Sequence, residues 1–159
     1  MDALAISISD LSADECGELA PLLASLGYAA EAAKTLALLE AGFASTGPCR
    51  ALVARPLGSE LRVVGLATTH VTPFLHRPPA GRVTALAVLP EFQGRGIGRT
   101  LLTRCEEILL AAGCDRIELT SGSQRHDAHR FYRSAGYDVT GVRFVKPAAN
   151  FLKPAQSAE

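Results

Sequence analysis

Apolar and polar positions along this chain switch period several times, and the switches mark its elements. Ile6-Ser7-Ile8-Ser9 alternates and predicts a short strand. Ser12 or Asp14 can cap a helix running to about Ser25, with Gly27 as its stop. Residues 31–43 place Ala33, Leu36, Ala37, Leu39 and Glu40 at helical spacing. The apolar content of that helix predicts a face that is buried or lines a groove. After Gly47-Pro48 the period falls to two. Residues 50–55 and 61–71 read as strands joined by a turn at Leu57-Gly58-Ser59. Residues 83–89 are almost continuously apolar, which predicts a central strand buried on both faces.

A glycine-rich turn follows, then a helix. Ile97, Leu101, Leu102, Cys105, Ile108, Leu109 and Ala112 recur in steps of three and four, and Gly113 is placed to end the stripe. Residues 116–120 predict a strand, 127–135 a short helix stopped by Gly136, and 137–145 a closing strand. The order is β-α-α-β-β-β-α-β-α-β, a mixed α/β (α+β) class. Antiparallel hairpins should fill the middle, and the strands on either side of the long helix should pair in parallel. Residues 1–146 read as one domain, and residues 147–159, rich in Ala, Pro, Ser and Gln, as a loose tail.

Composition narrows the class. The chain has 159 residues, 48% of them hydrophobic, enough for one core. Sixteen basic and 16 acidic side chains leave no global field to hold nucleic acid or an anionic membrane. No run approaches the roughly 20 apolar residues of a membrane helix. Asp2 and Asp10 stand where a secretory leader would be basic. Cys16, Cys49, Cys105 and Cys114 form no CxxC pair, so no zinc spacing is present and no metal is expected. Cys105 falls on the apolar stripe and reads as a core residue. A cytoplasmic protein with reduced thiols is expected.

The candidate chemistry begins at Gln93-Gly94-Arg95-Gly96-Ile97-Gly98. A strand, a tight glycine turn and a helix start make an anion site. The first helical N–H groups lack internal partners, and the helix dipole favours negative charge there. Arg95 and Arg99 add positive charge. Gly98-Arg99-Thr100 lacks the lysine of a P-loop. A dinucleotide turn starting at Gly94 would need its third glycine at Arg99.

The spacing Gln93-x-x-Gly96-x-Gly98, behind an apolar strand and ahead of an amphipathic helix, resembles the acetyl-CoA motif of the GCN5-related N-acetyltransferases. A second stretch is similar to that family's downstream motif: Ala128, Tyr132, Gly136 and Tyr137 match Ala-x-x-x-Tyr-x-x-x-Gly-Phe/Tyr. The similarity runs over about residues 80–146, in a small single-domain member of bacterial type.

The resemblance implies a fold with a splayed parallel strand pair and about four helices, acetyl-CoA as co-substrate, and specific roles. Backbone groups of Leu86, Ala87 and Val88 would hold the pantetheine arm like an added strand. Amides from Gly94 through Arg95, Gly96, Ile97 and Gly98 to Arg99, at the helix start that includes Thr100, would hold the pyrophosphate, with Gln93 part of the motif. Tyr132 would send its proton to the departing thiolate, and the Val88 N–H would stabilise the oxyanion. An ordinary thiol titrates near 8.5 and a phenol near 10, so that transfer is slightly uphill unless the site tunes it.

Two positions depart from the family. Arg125 stands where many members carry Asn; it can reach a phosphate or stay solvated. Thr120 stands where some members carry a glutamate base. Glu118, two residues earlier on the same side of the strand, can take that part, or be a solvated strand-end charge. His70, His76, His126 and His129 are further titratable groups, with His126 and His129 expected on the surface of the last helix and His70 on the central hairpin.

The acceptor implied is a primary amine of a small molecule; a peptide N-terminus, a lysine side chain, or a non-catalytic acyl-CoA-binding role are the alternatives. Residues 25–45 and the loop at 73–80 should shape the acceptor site, with Glu31 and Glu40 as candidate contacts to a cationic amine. Homodimers are common in the family.

Overall fold

The computed structural model describes residues 5–29, 31–43, 47–58 and 63–147. The expected tail and part of the turn after Gly58 lie outside them. The chain divides into two compact units, Met1–Gly122 and Ser123–Glu159.

The first unit is built on a five-stranded sheet in sequence order: β1 (Ile6–Asp10), β2 (Cys49–Pro56), β3 (Gly65–Thr72), β4 (Ala80–Val88) and β5 (Arg116–Leu119). β1 to β4 pair antiparallel, and β5 pairs parallel to β4. The short links between β2, β3 and β4 permit hairpins, whereas a parallel neighbour needs a crossover helix.

That crossover is α3 (Ile97–Ala111), which buries Ile97, Leu101, Leu102, Cys105 and Leu109 on one sheet face. It lies so close that a Cβ on Gly81 would sit 2.8 Å from Leu109 Cδ1, so only glycine fits there. The opposite face carries Val53, Leu66 and Ala87 in one row across β2, β3 and β4. Leu19 and Leu22 cover that row. Each buried leucine contributes about 2 kcal/mol by transfer from water.

Leu19 and Leu22 come from the segment expected as one helix. It is instead a 3-10 stretch (Ala13–Leu19) running into α1 (Ala20–Ser25), with Pro21 in the first turn of α1. Gly27 follows with φ +89°, as a helix stop should. α2 (Ala32–Gly42) forms where predicted but buries no side chain completely. Thr35, Leu36 and Leu39 are half-buried, and Leu38 is exposed. Its apolar face is therefore only partly covered.

β4 differs from the expected strand buried on both faces. Ala85 pairs with Thr68 but Val83 pairs with Thr69, so Thr84 is an extra, bulged residue. Side chains alternate along a strand, and the bulge reverses their parity. Gly81 and Val83 therefore face α3, while Ala85 shares the other face with Ala87. Thr84 is exposed, and its Oγ1 lies 2.7 Å from that of Thr68. Leu89 is already outside the strand, and Pro90–Phe92 forms a 3-10 turn.

The second unit holds α4 (His126–Ser134), closed by N–H bonds from Gly136 to Arg133 O at 3.0 Å and from Tyr137 to Tyr132 O at 3.1 Å. The predicted closing strand at 137–145 does not form; residues 138–147 have no ladder. Their alternation states which face a sheet would bury, but a strand exists only where a neighbour supplies the hydrogen bonds. Val142 and Phe144 are exposed. No helix among the described residues is long and apolar enough to cross a membrane.

Candidate active site

Two features of the first unit define the candidate site: a fork in the sheet and the turn beyond it. β4 and β5 pair from Ala80↔Arg116 to Val83↔Leu119 and no further, although β4 runs on to Val88. Among the described residues, 84–88 therefore have β3 on one side and no strand on the other. The Leu89 N–H donates to Val64 O at 2.9 Å, on the β3 side. The Val88 carbonyl belongs to the same peptide and so points the other way, into the fork. In an extended strand a residue's N–H and C=O share a side, and the next residue's take the opposite side. Leu86 and Val88 thus present their main-chain groups to the fork. Ala87 turns its own toward Leu66 of β3.

The glycine turn is fastened to this strand end. Gln93 Nε2 donates to Val88 O at 3.0 Å. Gly94 and Gly96 have φ of +74° and +82°, and a Cβ on either would meet nothing within 4 Å. The left-handed backbone, not space, is what demands glycine at both. Such alternation curls successive N–H groups toward one centre. Gly96 caps α3, and the first intrahelical bond runs from Thr100 N–H to Gly96 O at 3.0 Å. The amides of Ile97 and Gly98 precede that ladder and point out of the helix end. The Arg95 guanidinium lies 5.5 Å from the Phe92 ring centroid, beside the turn. This donor set fits a pyrophosphate.

Glu118 stands on β5 opposite Arg82 of β4. Its Oε1 is 3.8 Å from Arg77 Nη2, while Arg77 Nη1 is 3.8 Å from Asp115 Oδ1. Arg77 also packs 4.0 Å above the Phe74 ring. Arg77 thereby ties the loop that enters β4 to the start of β5. Neither Arg77 nor Arg82 carries a signal in the sequence, because what singles them out is the register between strands. Thr120 lies just past β5 and is exposed. His70, in register with Arg82, has its Nδ1 3.2 Å from Thr72 Oγ1. Cys105 is a core residue: burial, with help from Glu106, pushes its thiol up to about 12, so it stays protonated and inert.

In the second unit Tyr132 is half-buried on α4, with the rings of Phe131 and Tyr137 edge-on at 5.3 and 6.1 Å. Burial pushes its phenol above the usual value, and the positive charge of Arg125 pulls part of the way back. The phenol is therefore fully protonated at neutral pH. Arg125 caps α4. His126 and His129 stand edge-on to one another, 6.2 Å apart, His126 exposed and His129 half-buried.

Known proteins share this architecture. An aminoalkylphosphonate N-acetyltransferase of Salmonella typhimurium is 40% identical over 85 residues, 53% of this chain and 55% of that protein. A mycothiol acetyltransferase of Beutenbergia cavernae is 37% identical over 62 residues, 39% of this chain and 21% of that protein. The chain thus spans about half the length, or less, of these curated relatives. The crystal structure of a glucosamine-6-phosphate N-acetyltransferase from Arabidopsis thaliana superposes with a TM-score of 0.79 at 15% identity, covering 91% of this chain and 99% of that one, which establishes a shared fold. The model of the acetyltransferase (GNAT) family matches residues 20–137, well over half of the sequence. With its forked strand pair and glycine turn in that matched region, the chain belongs to the GNAT family of acetyltransferases.

Proposed function

We propose that the protein is an acetyl-CoA-dependent N-acetyltransferase whose acceptor is the primary amine of a small molecule. The observation that carries this reading is the fork at Val83–Leu119 leading directly into the left-handed turn at Gly94 and Gly96. One strand thus offers the Leu86 main-chain groups and the Val88 N–H for an amide-bearing arm, and the next residues offer amides for a pyrophosphate. Its relatives are named for small acceptors, which favours a small amine. Four free cysteines suit a reducing cytoplasm.

Acetyl-CoA supplies the activated thioester in this scheme. The amides from Gly94 to Arg99, with the Arg95 and Arg99 side chains, hold its pyrophosphate. Gln93 is engaged with Val88, so it braces the turn. Leu86 and Val88 hold the pantetheine arm as a strand would be held. A main-chain N–H nearer the apex of the same open edge then serves the oxyanion formed when the amine attacks the carbonyl. Tyr132 gives its proton to the sulfur as the C–S bond breaks, and Glu118 takes the proton that the ammonium must lose. Arg125 keeps Tyr132 from becoming a still weaker acid.

Free-thiol release from acetyl-CoA over a panel of primary amines tests this. Amine-dependent thiol with an acetylated product is the expected result. Tight CoA binding with no thiol from any small amine, or thiol only with peptides, would overturn it.

A further inference from the structure

We propose that Arg82 binds an oxyanion of the acceptor, so that the substrate is an amine carrying a carboxylate, phosphonate or phosphate a few atoms from its nitrogen. This rests on the acetyltransferase reading and names its substrate class.

Arg82 occupies the rung just before Val83↔Leu119, where β4 and β5 part. Gly81 faces α3, so Arg82 faces the opposite side of the sheet. On that side it is the middle of a cross-strand row: His70 on β3, Arg82 on β4, Glu118 on β5. Side chains on adjacent rungs start roughly 5 Å apart. Arg82 is half-buried, yet its side chain makes no hydrogen bond or ion pair among the described residues. Glu118 does not supply one, since its ion pair goes to Arg77.

No nitrogen of this guanidinium is both buried and unpartnered, so the group is unengaged and open to a ligand. Its planar set of donors matches two oxygens of one oxyanion. Glu118 on the next rung presents the opposite charge. The pair therefore complements a zwitterion: Arg82 takes the anion, and the ammonium lies toward Glu118. That arrangement brings the nitrogen to the apex of the fork, where the open edge of residues 84–88 begins. An alkylamine with no anionic group would leave Arg82 as it is and gain nothing from it.

The test compares n-propylamine, β-alanine and O-phosphoethanolamine as acceptors, in wild type, Arg82→Gln and Arg82→Lys, with free thiol as the readout and thermal melts to confirm folding. The wild type should prefer the anionic amines by ~10–100-fold in kcat/KM, the size expected of a charge-assisted bond. β-Alanine and O-phosphoethanolamine show whether the site is shaped for a planar or a tetrahedral anion. In Arg82→Gln that preference should fall toward one, mainly through KM, and Arg82→Lys should restore part of it. Use of n-propylamine equal to that of both β-alanine and O-phosphoethanolamine by the wild type, or a preference unchanged in Arg82→Gln, overturns the proposal. Calorimetry of β-alanine and O-phosphoethanolamine in the presence of CoA separates the two readings. Anionic amine bound by wild type and lost in Arg82→Gln, with no thiol released, leaves the anion site standing and sinks acetyl transfer. Binding of neither anionic amine sinks the anion site.

Discussion

The side-chain amide of Gln93 donates to the main-chain carbonyl of Val88 at 3.0 Å, closing the glycine turn back onto the strand that leads into it. Val88 has no β5 neighbour, so its carbonyl would otherwise lack a strand partner. One motif side chain thus fixes the angle between the strand edge and the helix start.

Replacing Gln93 by Leu should loosen that angle. A single neutral hydrogen bond is worth about 1 kcal/mol, so acetyl-CoA affinity should fall roughly fivefold, with the melting temperature nearly unchanged. Titration calorimetry measures this. Full affinity in the variant would show that the turn holds its shape without the brace.

Gly96 has φ +82° and open space where a side chain would go. Gly96→Val should therefore fold but pay roughly 1–2 kcal/mol for the left-handed backbone, or relax to another conformation. Either way the amides lose their common focus. CoA binding by calorimetry should drop below detection while the melt shifts by only a few degrees. Normal CoA affinity would remove the turn from the cofactor site.

Tyr132→Phe removes the proposed proton donor but keeps the ring. Turnover should fall by ~10²–10⁴-fold with acetyl-CoA affinity retained. The pH profile supplies a second readout. Because burial raises this phenol, it keeps its proton through the ordinary phenol range and loses it only above that. Wild-type turnover should thus decline only at strongly alkaline pH, and that limb should be missing from the Phe variant's residual activity. An unaltered profile would take Tyr132 out of the reaction.

Glu15 anchors the start of the 3-10 stretch. Its carboxylate accepts from Ser12 N–H at 3.0 Å and Ser12 Oγ at 2.7 Å, and is paired with Arg55 of β2. Burial alone would raise its pKa, but the bonds from Arg55 and Ser12 outweigh that and hold it below the usual carboxylate value. A carboxyl depressed in the folded state stabilises above its unfolded pKa, and that stability is lost as pH falls through the folded value. Stability against urea should therefore drop on the acid side, below about pH 4.5. Arg55→Met should cost roughly 2–3 kcal/mol at neutral pH by leaving a buried charge half-paired, and flatten that acid loss. An equal acid slope in the variant would place the titration elsewhere.

Much of the molecule follows from local sequence. Periodicity in residues 97–111 specifies α3 and its buried stripe, because a helix face is set by spacing alone. The left-handed positions at Gly94 and Gly96 follow from residue type, since little else tolerates them. The glycine turn was therefore legible before any strand had a neighbour.

What the chain could not state locally is which strands meet, and where they stop meeting. The bulge at Thr84 reverses the faces of β4, so an apolar run that looked buried on both sides turns Ala85 and Val83 to opposite faces. Residues 137–145 have strand-like alternation but no ladder, because pairing needs a partner edge as well as a pattern. The fork itself, and the row of His70, Arg82 and Glu118 at its apex, come from register between strands far apart in sequence. Side-chain spacing along one strand carries no information about the strand beside it, so only the tertiary structure could set Arg82 next to Glu118.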